Sequence, residues 1–199
     1  MASTLFVIPA VLFLVRLLLL VSLHFVPGGV DPVREPFSDY AVAEEKRTRV
    51  LATAASWSAA LAWISLGLTV LLNTVTGDAG RGVGFWLLIL GVLLAVMPLV
   101  PTDRSGSQTT LRGRVHLLFA IAWFTLAYAT IGPLGRLLST SSHQLMGVLD
   151  TVAAIALAAL VISLVIRPLR RRTFGIAERA FILVVTVAPL VASIDLAVR

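Results

Sequence analysis

Cysteine is absent from the chain of 199 residues. Disulfide bonds, thiolate metal sites and cysteine nucleophiles are therefore excluded, and the redox compartment stays open. Histidine is also scarce, because the chain has only three, and no two of them stand at the spacing of metal ligands on a helix. We therefore predict no metal site and no cofactor.

Charge is the second scarcity. Charged residues make up 13% of the chain, against roughly 25% in a typical soluble domain. The apolar residues gather in six runs of near-spanning length, so we predict an all-α polytopic membrane protein: a bundle of six transmembrane helices that forms a single domain over residues 1–199. The predicted helices are residues 4–26, 49–75, 82–99, 112–131, 147–166 and 176–198.

Proline and glycine predict where several of these helices end. Pro27-Gly28-Gly29 ends the first, Gly132-Pro133 the fourth and Arg167-Pro168 the fifth. The first run has no basic segment before it and is too long for the apolar part of a signal peptide, so we interpret it as a retained helix.

The sixteen basic residues are unevenly distributed. Twelve lie in or beside the first, third and fifth loops, three lie near the opposite helix ends, and Arg16 lies inside helix 1. The positive-inside rule then predicts a multi-pass protein of the cell membrane with these three loops in the cytoplasm and both termini extracytoplasmic. Because topology accounts for the basic residues, and no aromatics are interleaved with them, we predict no nucleic-acid partner.

Arg16 is the clearest polar residue within a span. An ionisable side chain there costs a few kcal/mol on insertion scales, so it is a candidate for function. We expect Arg16 to face the bundle interior and to pair with a carboxylate or with carbonyls. His24 lies two turns later and roughly 80° around the helix, so both side chains could line one cavity.

The first loop contains Glu35-Pro36-Phe37-Ser38-Asp39-Tyr40. Ser38 or Asp39 is typical of the N-cap of a helix that continues towards Glu44 and Glu45. The alternative is that Asp39 points under the bundle.

The third loop is a polar island from Pro101 to His116. Thr102 or Asp103 could simply terminate helix 3 and shape a turn. Arg112, His116 and Trp123 share one face of helix 4. If a carboxylate from Asp103 or Asp39 orients the imidazole, His116 could act as a general base or a metal ligand. The alternative is that His116 is a core residue whose hydrogen bonds are satisfied, which is more common for a lone histidine.

Glu178 and Arg179 follow the fifth loop. If Glu178 lies in the first turn of helix 6, its carboxylate would be stabilised by the positive end of the helix dipole. Alternatively, both residues complete the same cytoplasmic polar cluster. On helix 5, a stripe of small residues, Gly147, Thr151, Ala154 and Ala158, predicts close packing within the molecule in preference to a dimer face.

Four segments together resemble the bacterial and archaeal DUF998 family. They are Pro36-Phe37-Ser38-Asp39-Tyr40, Pro101-Thr102-Asp103, Thr110-x-x-Gly113-x-x-His116 and Gly175-x-x-Glu178-Arg179. The resemblance spans nearly the whole chain and implies a six-helix fold with a candidate site at these positions. The family looks distantly similar to eukaryotic membrane proteins associated with lipid handling, which favours a lipid ligand without assigning a reaction.

Three functions follow from these residues. The first is binding or handling of a membrane lipid or isoprenoid-like small molecule at the cytoplasmic cluster, as a regulator or as a subunit beside a membrane protein partner. The candidate ligand-binding residues are Arg16, His24, Ser38, Thr102, Arg112, Trp123 and Arg179.

The second is an intramembrane enzyme with an acid and a base among four candidate catalytic residues, Asp39, Asp103, His116 and Glu178. Proton-initiated cyclisation of a terpenoid is one form. Its aromatic lining would come from Trp57, Trp63, Trp86, Phe119 and Trp123. The third function is a small transporter or proton-coupled channel that uses Arg16 with carboxylates.

Overall fold

The computed structural model describes residues 3–27, 29–73 and 76–199, and this part of the chain is helical without a strand. The elements are a 3-10 helix Ser3–Phe6, α1 (Val7–Ser22), a 3-10 helix Phe37–Val42, α2 (Lys46–Leu72), α3 (Gly77–Val96), a 3-10 helix Met97–Leu99, α4 (Leu111–Gly135), α5 (Thr140–Val165) and α6 (Arg167–Ala197). Within the described residues, six helical segments are long and apolar enough to cross a membrane, which confirms the predicted all-α bundle; α1 and α3 reach this length together with their adjoining 3-10 helices, as Ser3–Ser22 and Gly77–Leu99.

Two predicted helix ends involve residues outside the described part, Gly28 after helix 1 and Val75 at the end of helix 2. The described residues place the last α-helical residue of α1 at Ser22. The amides of His24 and Phe25 bond three residues back, to Val21 and Ser22, so the end of α1 tightens before the proline is reached.

The prediction that Gly132-Pro133 ends helix 4 is wrong, because α4 continues to Gly135. Pro133 cannot donate a hydrogen bond within the helix, but it lies in the last turn. Beyond it, Arg136 N–H donates to Gly132 O at 3.2 Å and Leu137 N–H donates to Leu134 O at 3.1 Å. These two bonds complete the end of α4.

The predicted loop between helices 5 and 6 is also wrong. α6 begins at Arg167, and Pro168 occupies its first turn, where its missing N–H is not needed. Glu178 therefore lies well inside α6, and the helix-dipole interpretation of this carboxylate is wrong. α3 and α5 begin earlier than predicted, at Gly77 and Thr140, because their first turns are polar and fall outside an apolar run.

Small residues bring α2 and α3 into close contact. A Cβ atom added to Gly84 would lie 2.9 Å from Gly67 O, and one added to Gly91 would lie 2.8 Å from Ile64 N. Because lipid tails supply no hydrophobic drive between helices, such close backbone packing is a main source of helix association in a bilayer. α1 packs on the other side of α2 and on α6, and α5 packs on α6.

The small-residue stripe on α5 is not the packing face. Gly147, Thr151 and Ala158 are exposed, whereas the buried residues of α5 include Ala153, Ala156 and Leu160. The prediction of intramolecular packing through the stripe is therefore wrong. The face that packs inwards is also rich in small residues, Ala153, Ala156 and Ser163, so small size alone did not identify the packing face.

The first half of α4 contains no buried residue. The buried residues of α4 all lie between Trp123 and Gly135, and none lies between Leu111 and Ala122. At the opposite end, Gly135 lies against Met146 of α5. The two helices are thus close beside their short connection and open towards the start of α4.

The first and third loops meet α6 at one end of the bundle, which we call the basic end. In the structure the first loop is residues 23–45 and the third loop is residues 97–110. Arg104 of the third loop pairs with Glu44 at 2.8 Å, and Arg179 donates to Glu35 O at 2.7 Å. Ile176 N–H also donates to Val33 O at 3.1 Å.

Candidate functional site

A cavity of about 410 Å³ lies at the basic end of the bundle, and all six helices contribute to its wall. Seven of the residues singled out from the sequence line it: Arg16, Ser38, Thr102, Asp103, His116, Trp123 and Glu178. The sequence segments that carry the candidate site therefore converge on one space, although Arg16 and Glu178 are 162 residues apart in the chain.

The other four candidate residues do not line this cavity. Asp39 is buried beside it, and Arg112 is exposed at the start of α4. His24 and Arg179 line a second, largely apolar groove between α1 and α6. The expectation that Arg16 and His24 share one cavity is therefore wrong, because His24 lies exposed beyond the end of α1, with its Nδ1 2.8 Å from Leu20 O.

Arg16 faces the interior, as predicted, and is 6% exposed. Its expected partner is missing, however: Nε and NH1 have no hydrogen-bond acceptor, and no salt bridge reaches Arg16 within the described residues. The guanidinium lies over the ring of Phe37, with Cζ 5.1 Å from the ring centroid. A cation–π contact of this kind offsets only part of the lost hydration of a cation.

Phe37 reaches Arg16 because the short helix Phe37–Val42 folds back against the bundle. Pro36 precedes this helix in an extended conformation, and no side chain caps it. The N-cap interpretation of Ser38 and Asp39 is therefore wrong. The backbone N–H of Phe37 instead donates to Glu178 Oε2 at 2.5 Å, which anchors the short helix to α6.

Glu178 is buried, 6% exposed, and lines the cavity. Through its hydrogen bond to the Phe37 backbone, Glu178 positions the first loop. Among the described residues, Arg16 and Glu178 form no ion pair within 4 Å. The cavity therefore holds a buried cation and a buried acid that do not neutralise each other directly.

Asp39 does point under the bundle, which was the second interpretation of this residue. Its Oδ2 accepts a hydrogen bond from Ser105 N at 3.1 Å, and Oδ1 is buried without a partner. Burial raises the pKa of the Asp39 carboxyl, and the bond from Ser105 opposes this only in part. Asp39 thus ties the first loop to the third.

Asp103 is engaged at the start of α4. It accepts bonds from the backbone N–H of Thr110 at 2.7 Å and from the Thr110 hydroxyl at 2.7 Å, and Thr110 in turn caps α4 by accepting from Gly113 N. The bond from the Thr110 backbone is the main reason that the pKa of Asp103 is lowered. A side chain at position 113 would collide with this carboxylate, which explains the glycine.

His116 is not oriented by a carboxylate. Its Nδ1 lies 2.7 Å from Val100 O, and because a carbonyl only accepts, Nδ1 carries the proton. In the neutral imidazole, Nε2 is then an acceptor at the wall of the cavity. The predicted Asp–His pair does not form because Thr110 engages Asp103.

The expected aromatic lining is largely wrong. Trp57 and Trp86 are partly exposed on the outer surface, and Trp63 packs edge-on against Phe13 in the core. Trp123 does line the cavity, and its indole Nε1 is buried without a partner. The other aromatic residues at the cavity are Phe37, Phe124 and Phe174.

Sequence reasoning missed the apolar wall and part of the rim. The wall comes from α5 through Leu157, Leu160, Val161 and Leu164. Residues of this type are common to every membrane helix, so no sequence signal separates them from lipid-facing positions. Arg170 at the rim of the cavity was not among the candidate residues, because the basic run that contains it was interpreted mainly as a topology signal.

Cations outnumber acids in the lining of the cavity. The lining cations are Arg16, Arg104, Arg114 and Arg170, against the acids Asp103 and Glu178. Among the described residues, no group of three histidine, aspartate or glutamate side chains is placed to hold a metal ion. The other half of the bundle is filled by buried apolar residues such as Ile131, Leu134 and Val185.

Comparison with known proteins places the chain in a family. The model of DUF998, described as a protein of unknown function, matches residues 6–195. No curated protein and no solved structure matches the chain. Since the family match covers nearly all of these six membrane helices, the chain belongs to the DUF998 family of membrane proteins.

Proposed function

We propose that this membrane protein binds a membrane lipid or isoprenoid-like amphiphile with an acidic headgroup in the cavity at the basic end. One observation carries the proposal: Arg16 is a buried cation that finds no acceptor among the described residues, and it lines a space large enough for a small molecule. A buried charge without a partner costs several kcal/mol, and an anionic ligand would remove that cost.

The chemistry of the wall suits the two halves of an amphiphile. Arg16 and Trp123 supply hydrogen-bond donors for an acidic or carbonyl group, and His116 Nε2 supplies an acceptor for a hydroxyl. The α5 side supplies Leu160 and Val161 for a tail. The cavity volume of about 410 Å³ falls in the range of roughly 300–1,000 Å³ that small-molecule sites occupy.

The distribution of basic residues supports a cytoplasmic location for this site. The first, third and fifth connections carry most of the arginines and lysines, and the cavity lies between these connections. Under the positive-inside rule, the headgroup of the ligand belongs to the inner leaflet of the cell membrane, and both termini are extracytoplasmic.

Native mass spectrometry of purified protein with extraction of bound lipids tests the proposal. We expect a defined acidic amphiphile on the wild type and its loss in Arg16→Gln. The matched control is Arg81→Gln, because Arg81 is exposed and far from the cavity lining. An unliganded wild type, or the same ligand at the same occupancy in Arg16→Gln, would contradict the proposal.

The second candidate function is an intramembrane enzyme, and the tautomer of His116 supports it. With Nδ1 held by Val100 O, Nε2 could take a proton from a bound substrate. Incubation of wild type and His116→Gln with the extracted ligand tests this. A product formed only by the wild type would support catalysis, whereas unchanged ligand in both would leave binding as the function.

A further inference from the structure

We propose that the ligand enters the cavity sideways from the bilayer, through a seam between the first half of α4 and α5, and that its tail remains in this seam. This inference rests on the proposed function and deepens it. It identifies the source of the ligand as the membrane leaflet and not the aqueous phase.

The packing of α4 carries the first part of the argument. None of the residues from Leu111 to Ala122 is buried, although they lie in a helix of a six-helix bundle. Trp123 is the first buried residue of α4, and it lines the cavity together with Phe124 and Thr125. The cavity wall on α4 therefore follows the half of the helix that is not buried and ends just beyond its first buried residue.

The seam itself is defined by residues that line the cavity and are also exposed. On α4 the apolar ones are Leu117 and Ile121, which are 41% and 44% exposed, and they lie between the exposed polar residues Arg114 and Thr125. On α5 the matching residue is Val161, which is 50% exposed. Apolar side chains on both sides of an opening at membrane depth suit an acyl or isoprenoid chain and disfavour the passage of a hydrated solute.

The aqueous end of the cavity is covered by the third loop. Its residues from Pro101 to Thr109 contribute to the wall, and two contacts fasten the loop to the first loop. They are the hydrogen bond from Ser105 N to Asp39 and the ion pair of Arg104 with Glu44. No comparable polar contact joins α4 to α5 at the seam within the described residues, so the seam is the less restrained boundary.

Photolabelling in lipid nanodiscs tests this route, with a palmitic acid analogue that carries a diazirine at mid-chain as the probe. We expect the wild type to be labelled within the first half of α4 and the facing part of α5. Ile121→Trp combined with Val161→Trp fills the seam and should reduce early labelling at least fivefold. The matched control combines Leu118→Trp with Ile162→Trp, because these neighbours are at least as exposed but do not line the cavity.

The outcomes separate this inference from the proposed function. Wild-type labelling of the seam-filled variant, together with loss of labelling in Arg16→Gln, would overturn the lateral route and leave binding intact. Labelling of the wild type no stronger than that of Arg16→Gln would overturn both.

A second measurement needs no ligand. Because the chain has no cysteine, Ala120→Cys places a single thiol on the cavity wall. We expect faster modification by a bilayer-soluble pyrene maleimide than by a charged, water-soluble maleimide, and slower modification by the former when the seam is filled. The opposite preference would place the opening on the aqueous side.

Discussion

Replacing Arg16 by methionine should stabilise the protein when it holds no ligand. Two guanidinium nitrogens, Nε and NH1, are buried without acceptors in the part of the chain that the structure describes. Hydrogen bonds to charged groups contribute about 1.5–3 kcal/mol each, so two unmade bonds correspond to roughly 3–6 kcal/mol. Methionine removes this penalty, and its flexible side chain can occupy the same space.

One favourable contact is lost in the same substitution. The guanidinium lies over the Phe37 ring, with 5.1 Å between Cζ and the ring centroid, and a desolvated cation–π contact contributes about 2 kcal/mol. The expected net gain in the free energy of unfolding is therefore about 1–4 kcal/mol. For a chain of this size, each kcal/mol shifts Tm by about 2–4 °C.

Thermal unfolding of delipidated protein in detergent, followed by tryptophan fluorescence, measures this gain. Native mass spectrometry of the same sample establishes that no lipid remains bound. The control is Arg81→Met, because the Arg81–Asp78 pair is exposed and should contribute no more than about 1 kcal/mol. When the lipid extract is added back, the wild type should gain stability and Arg16→Met should not.

A delipidated Arg16→Met protein that is less stable than the wild type would refute this reasoning. The guanidinium would then be a structural element of the bundle, and the missing acceptor would not indicate a ligand.

Three further predictions concern packing, pH and helix capping. Gly84→Leu should lower the free energy of unfolding by about 1–3 kcal/mol, because its Cβ would lie 2.9 Å from Gly67 O. The control Gly82→Leu meets open space and should not destabilise the protein, and chemical unfolding curves compare the two variants. Burial raises the native pKa of Asp39, so the protonated carboxyl contributes stability at low pH, and this contribution is lost as pH rises from about 3.8 through the raised pKa. Asp39→Asn should therefore remove this part of the pH dependence of the free energy of unfolding, measured in unfolding curves from pH 3 to pH 8. An unchanged pH profile would contradict the assignment. Thr110→Val removes the hydroxyl that caps α4 and should cost about 1 kcal/mol, measured as a lower Tm, while a shift of zero would show that the cap is not formed.

Composition and periodicity predict the six helices because a bilayer admits few alternatives. An apolar run of about 20 residues must be helical to satisfy its own backbone in lipid. The ends of the helices are less predictable for the same reason. The polar first turns Thr140–Gln144 of α5 and Arg167–Arg172 of α6 lie where water competes for the backbone, so their helical state depends on neighbouring elements and leaves no apolar signature.

The candidate site was also only partly predictable from the sequence. Arg16 is identifiable from the sequence because a charge within a span stands out, and the structure places it inside the bundle as expected. Its lack of a partner was not predictable, since which groups approach it depends on the folding back of Phe37. The engagement of Asp103 by Thr110 illustrates the same limit: residue types suggest an Asp–His pair, but a nearer backbone N–H is available locally.

The length of α6 has a consequence for how the bundle sits in its membrane. Its 31 residues extend about 46 Å at 1.5 Å per residue, whereas a hydrocarbon core is about 30 Å thick. The excess belongs to the end that carries Arg167 and Arg170 to Arg172, because these side chains cannot reside among lipid tails. Since this segment is helical, the backbone of these arginines continues the axis of α6 beyond the core, where their side chains can reach headgroup phosphates and anchor this end of the molecule. With this end anchored, a change in the thickness of the bilayer is accommodated by tilt of the helices or at the opposite end of the bundle.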